Sequence, residues 1–194
     1  MQGRGGAPGK HALIVGIDDY RRGIPPLTSA VADARAIAGV LAELHGYRVT
    51  LLVDAEASLT GIRAALADVV GAAGPRDRVL FYFAGHGVAE DADGDDDGPR
   101  GYFIPQDADK QRTDTFLAMA EVRSILAQPH VSQLMLLLDC CFAGSFQWSS
   151  TRDLRVQRPK LYKERYERYL REPAWQAIAS SACDERALDV VAGK

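Results

Sequence analysis

The sequence is short of cysteine, of long apolar runs and of net charge. Its 194 residues include three cysteines, Cys140, Cys141 and Cys183. An odd count with two of them adjacent does not build a disulfide framework. A structural zinc site would need four ligands at short paired spacings, which the chain does not offer. A reducing cytoplasm is the natural home of such a chain. No apolar run approaches the ~20 residues of a membrane span. The Gly-rich stretch 1–10 lacks the apolar core of a signal peptide and reads as a disordered leader. A formal net charge of −3 gives no general attraction to nucleic acid or to an anionic membrane. What is present is 47% hydrophobic and 25% charged residues, the composition of an ordinary globular protein. The length suits one domain with a buried core.

Apolar runs alternate with helical patterns. His11 to Ile17, Tyr47 to Val53, Arg78 to Ala84 and Gln133 to Leu138 read as strands, and Trp175 to Ser180 as a fifth. Val31, Ala34, Ile37, Ala38, Leu41 and Leu44 follow the spacing of an amphipathic helix over Ser29 to Leu44, stopped by Gly46. A second helix is expected over Leu59 to Val70, capped by Ser58 or Thr60, and a third over Met119 to Leu126, ended near Pro129. Tyr102 to Ile104 is a short extended piece. Strands that are apolar on both faces and separated by helices imply an α/β fold, a mainly parallel central sheet with helices on both faces.

In such folds chemistry gathers at the carboxyl ends of the strands. The third strand runs into Ala84-Gly85-His86-Gly87, and the fourth into Asp139-Cys140-Cys141-Phe142-Ala143-Gly144. A His and a Cys are thus expected at neighbouring strand ends, each in a glycine-bearing turn. A thiolate is the attacking species of a catalytic cysteine and needs a base or cation beside it. His86 supplies a general base and a later proton donor for Cys141. Backbone N–H groups for an oxyanion are expected from Gly87 and Cys141. Either residue alone reads more simply as core; the pair, in these positions, reverses that preference. Two other cysteine chemistries are disfavoured. A tyrosine phosphatase needs Arg six positions after the nucleophile, where this chain has Gln147. A redox centre prefers a C-x-x-C pair, which is absent.

Tyr82-Phe83-Ala84-Gly85-His86-Gly87 resembles the histidine motif of caspases and metacaspases, and Asp139-Cys140-Cys141-Phe142-Ala143-Gly144 the metacaspase cysteine motif. Gly16-Ile17-Asp18-Asp19-Tyr20 is similar to that family's opening strand, and Gly101 to Asp107 and Ala179 to Glu185 are similar to later segments. The resemblance spans about residues 11 to 190 and implies a caspase-like three-layer sandwich. It divides the chain into a large-subunit-like catalytic region (11–148), a linker (149–173) and the start of a small-subunit-like region (174–194). It implies a cysteine endopeptidase acting on protein or peptide substrates, with Cys141 as nucleophile and Cys140 packed away. It also implies that Asp139 and Asp33, the latter in Ala32-Asp33-Ala34, line the pocket for an Arg or Lys before the cut bond. Two carboxylates pair well with a guanidinium. The alternative is a catalytically inactive caspase-like scaffold.

Two segments interrupt the pattern. Glu90 to Gly98 is acidic, and Asp93, Asp95 and Asp97 match the first half of a calcium loop whose twelfth position is Ile104 rather than Glu. No cofactor is required by this reading; calcium stands as a candidate activator at those three residues, against the favoured alternative of a solvated acidic loop. Residues 149 to 171 carry eight basic side chains where caspase-like zymogens are cut. Arg152, Arg155 and Arg158 are the expected self-processing positions, with an upstream activating protease as the other route.

Overall fold

The computed structural model describes residues 8–90, 100–128, 130–140 and 174–180. Five strands form a parallel sheet: β1 (Lys10–Gly16), β2 (Arg48–Val53), β3 (Arg78–Ala84), β7 (Gln133–Asp139) and β8 (Ala174–Ala179). They lie side by side in the order β2-β1-β3-β7-β8. A small antiparallel sheet joins β4 (Gly87–Glu90), β5 (Arg100–Phe103) and β6 (Leu117–Ala118). The helices are α1 (Ala30–Glu43), α2 (Leu59–Ala72) and α3 (Met119–Leu126).

The side-chain alternation of β1, β3 and β7 divides the interior into two cores. Leu13, Val15, Phe81, Phe83, Leu134, Leu136 and Leu138 face α2 and α3, meeting Ile62, Leu66, Val69, Met119, Val122 and Leu126. Ala12, Ile14, Leu80, Tyr82 and Ala84 face α1 through Ala30, Ala34 and Ala38. The three layers expected from sequence are therefore present. Phe81, Phe83 and Phe103 are fully buried in the first core and stack on one another at 4.6 and 5.9 Å between ring centres. Each contributes about 1.5–3 kcal/mol of burial.

Small side chains bring α1 close to the sheet. A Cβ on Gly16 would lie 2.5 Å from the Ala34 Cβ and 2.7 Å from the Ala30 carbonyl oxygen. The first turn of α1 is thereby fixed against the end of β1. Gly46, at φ 66°, takes the left-handed conformation that ends α1. Ser58 caps α2 by accepting from the Gly61 amide at 3.1 Å. Ser29, at the corresponding position of α1, makes no such cap. Asp18 does so from twelve residues away, accepting from the amides of Ala30 and Val31 at 2.9 and 3.2 Å.

The strand order fixes where a site can form. From β1 the chain goes outward to β2, then crosses back to β3 on the other side of β1. The carboxyl ends of β1 and β3 therefore flank a topological switch point, the usual crevice for chemistry in open α/β sheets. Gly16, Ala84 and Asp139 are in register across β1, β3 and β7, so the turns that follow them start from one edge.

Candidate active site

His86 follows the last residue of β3 by two positions. Three hydrogen bonds hold its backbone in a closed ring. The His86 N–H donates to the Tyr20 hydroxyl at 2.9 Å, the Tyr20 hydroxyl donates to the Ile104 carbonyl at 3.1 Å, and the Ile104 N–H donates to the His86 carbonyl at 3.0 Å. The Tyr20 ring also lies against the imidazole, with centroids 4.7 Å apart. Burial pushes the Tyr20 phenol far above its ordinary value, so this group stays protonated and remains a donor at any working pH. Gly85 leaves room for the phenol: a Cβ there would sit 2.5 Å from the Tyr20 oxygen.

The imidazole is oriented by a backbone carbonyl. Nε2 of His86 lies 2.9 Å from the Pro25 oxygen. A carbonyl only accepts, so Nε2 carries the hydrogen, and in the neutral ring Nδ1 then keeps its lone pair. A base whose second nitrogen is fixed by an acceptor is the arrangement that nucleophile–base pairs require. Pro25 lies in the loop after β1, so this contact spans the switch point.

On the other side of β3 the end of β7 is tied to the same edge. The Gly85 amide donates to the Asp139 carbonyl at 3.3 Å. Cys140 is 1% exposed and belongs to the core facing α2 and α3. Asp139 is exposed at the end of β7, and by alternation it shares the α1 side of the sheet with Tyr82. Asp33 is exposed in the first turn of α1. The Tyr82 phenol is raised by burial first, and then by the negative charges of Asp139 and Asp33. Both carboxylates thus act on one buried phenol, although they are 106 positions apart in sequence, a separation that follows from their numbers and that only the fold closes. Gly87 is buried and opens β4, paired with Phe103. Cys141, the acidic residues Asp93, Asp95 and Asp97, and the linker arginines Arg152, Arg155 and Arg158 lie outside the described residues.

A profile of the caspase domain matches residues 9–187 of the chain. The chain belongs to the caspase-domain family. It is 29% identical to metacaspase-4 of Arabidopsis thaliana over 146 residues, covering 70% of this chain and 34% of that protein. It is 25% identical to metacaspase-3 of Arabidopsis thaliana over 204 residues, covering 91% of this chain and 52% of that protein. This caspase domain therefore spans about a third and about half of the length of these two relatives. Protein GSU0716 from Geobacter sulfurreducens shares the fold, with a TM-score of 0.58 at 22% identity over 69% of this chain and 51% of that one.

Within this caspase domain the structure adds positioning residues to which the sequence assigned no role. Tyr20 lies in the opening segment Gly16 to Tyr20, and that motif was the available signal. Asp18, in the same segment, caps α1 and so sets the turn that carries Asp33. Its own amide, with that of Asp19, donates to Asp54 Oδ1 at 2.8 and 2.9 Å. Pro25 acts through its carbonyl, and no side-chain pattern could have announced it. A cleft of about 150 Å³ opens beside His86. Its walls are Ile24, Pro25, Gly87, Val88, Ile104 and Phe116, with Lys110 at one side. Among the described residues no group of three or more His, Cys, Asp or Glu could hold a metal ion. No helix among them is long and apolar enough to cross a membrane.

Proposed function

We propose that this caspase domain is a cysteine endopeptidase that cuts after Arg or Lys, with His86 and Cys141 as its dyad. The observation that carries the reading is His86 itself. Its Nε2 hydrogen goes to the Pro25 carbonyl, which leaves Nδ1 as the base, two residues beyond Ala84, the strand end in register with Asp139. The burial of Cys140 in the core supports Cys141 as the nucleophile of the two. In the reaction the Cys141 sulfur bonds to the scissile carbonyl carbon after its proton passes to His86. The oxyanion is met by the amides of Gly87 and Cys141. The C–N bond then breaks as the imidazolium returns the proton to the leaving amine. Water, deprotonated by His86, hydrolyses the thioester and restores the thiol.

Asp139 and Asp33 are proposed to receive the guanidinium or ammonium of the residue before the cut, over the Tyr82 face. The influence of both carboxylates on the Tyr82 phenol supports one shared acidic subsite. A reducing cytoplasm suits a thiol nucleophile. Self-cleavage after Arg152, Arg155 or Arg158 would follow from the same specificity, because tethering raises the effective concentration of the linker. The reading is tested by labelling the protein with a peptidyl-Arg electrophile and locating the adduct by mass spectrometry. An adduct on Cys141, lost in His86→Ala, is expected. No adduct, or one on Cys140, would refute the assignment and favour an inactive scaffold.

A further inference from the structure

The cleft beside His86 takes no part in the recognition of Arg or Lys, and its chemistry is the opposite of that subsite. We propose that it is the subsite for the residue immediately after the cut bond, and that it selects a Leu- or Phe-sized apolar side chain there and rejects a basic one. The inference rests on the peptidase reading and adds a second specificity to it.

Three observations carry it. The first is sidedness. The acidic subsite lies on the α1 side of the sheet, where Tyr82 belongs to the core around Ala30 and Ala34. The cleft lies on the other side. Ile104 is part of the core facing α2 and α3, and Ile24, Val88 and Phe116 pack against that core. His86 forms one wall of the cleft.

The second observation is the identity of that wall. A general acid must reach the leaving nitrogen, which is the backbone nitrogen of the residue after the cut. The Cα of that residue is one bond from the nitrogen, so its side chain begins within a few ångströms of the imidazole. The cleft is the concavity that the imidazole itself borders. A substrate that puts its basic side chain on the α1 side and its leaving nitrogen on His86 therefore delivers the next side chain to this cleft.

The third is size and lining. About 150 Å³ is the volume at which an apolar cavity accepts a benzene ring. The walls are aliphatic and aromatic apart from His86, Lys110 and the backbone of Gly87, and the positive charge carried by the exposed Lys110 at the rim disfavours a second cation. The chain's own linker then offers unequal targets. Arg155 is followed by Val156, whereas Arg152 is followed by Asp153 and Arg158 by Pro159. Cleavage after Arg155 is favoured among the three.

The test uses the full chain and quenched peptides with Arg fixed before the cut and Leu, Phe, Gly, Asp or Lys after it. A peptidyl-Arg aminocoumarin, which has no residue after the cut, is measured in parallel. Leu and Phe are expected to exceed Gly in kcat/KM by about tenfold, with Lys lowest. Lys110→Glu should raise Lys relative to Leu by several-fold, and Phe116→Ala should shrink the advantage of Leu over Gly. A flat profile with the aminocoumarin still cleaved, or a profile unmoved by both substitutions, would overturn the subsite alone. No cleavage of the aminocoumarin would refute the peptidase reading, and the subsite with it.

Discussion

Replacing Tyr20 with Phe removes one oxygen and keeps the ring, so it isolates the hydrogen-bonded clamp behind His86. Two groups lose their partner. The Ile104 carbonyl belongs to a residue 2% exposed and has no ready access to water, which costs about 1–3 kcal/mol. The His86 amide is in a half-buried residue and recovers part of its loss through water, leaving about 1 kcal/mol. The packing of Phe against the imidazole persists, so little cavity term is added. Tyr20→Phe should therefore destabilise the fold by about 2–4 kcal/mol, read from the urea midpoint. It should also lower kcat for an Arg substrate by about tenfold or more if His86 is the base proposed above, because small displacements of a catalytic group are costly. KM should change little, since the proposed acidic subsite stands on α1 and β7. The phenol is far above its ordinary range, so neither effect should vary with pH through Tyr20. Wild-type stability together with wild-type kcat would refute the clamp. Lost stability with unchanged kcat would reduce it to a purely structural role.

Other outcomes follow from the same geometry. Asp18→Ala uncaps α1 and should cost about 1–2 kcal/mol while raising KM for Arg substrates, because Asp33 rides on that turn; a KM unchanged beside lost stability would separate the two. Asp77 is held below the usual carboxylate range, chiefly by the Gly74 amide and then by the Gly9 amide and His11. Its stabilisation is complete above the ordinary Asp value of about 4 and is lost as the pH falls through its lower folded value, so the urea midpoint should drop on acidification, and Asp77→Asn should flatten that drop. Asp139→Ala should lower kcat/KM for Arg and Lys substrates by about 1.5–3 kcal/mol equivalent, the loss of one charge-assisted contact, without creating cleavage after Asp. Activity of the wild type should not depend on added calcium if the acidic segment is solvated surface; a calcium response that vanishes when Asp93, Asp95 and Asp97 become Asn would instead establish the candidate activator site.

The sheet and the helices were legible because their signals are local. Arg78–Ala84 and Met119–Leu126 fall where the apolar run and the helical spacing place them. The Ser58 cap is equally local. The small sheet was not legible beyond Tyr102 to Ile104. Its strands are two to four residues long, too short for alternation to show, and Gly87 reads as a turn residue until Phe103 is found opposite it. The site divides the same way. His86 was visible at a strand end, and the pocket roles proposed for Asp139 and Asp33 came only through resemblance. The Pro25 carbonyl, the Asp18 cap and the apolar cleft depend on contacts between distant segments. These arise from the order β2-β1-β3, which no single segment encodes.

The most direct measurement compares cleavage of a peptidyl-Arg substrate by the wild type, Cys141→Ala and Cys140→Ala, with a matched peptidyl-Asp substrate as control. The account predicts turnover of the Arg substrate by the wild type, at least a thousand-fold loss in Cys141→Ala, substantial activity in Cys140→Ala, and no cleavage after Asp. Full activity in Cys141→Ala, or efficient cleavage after Asp, would contradict it.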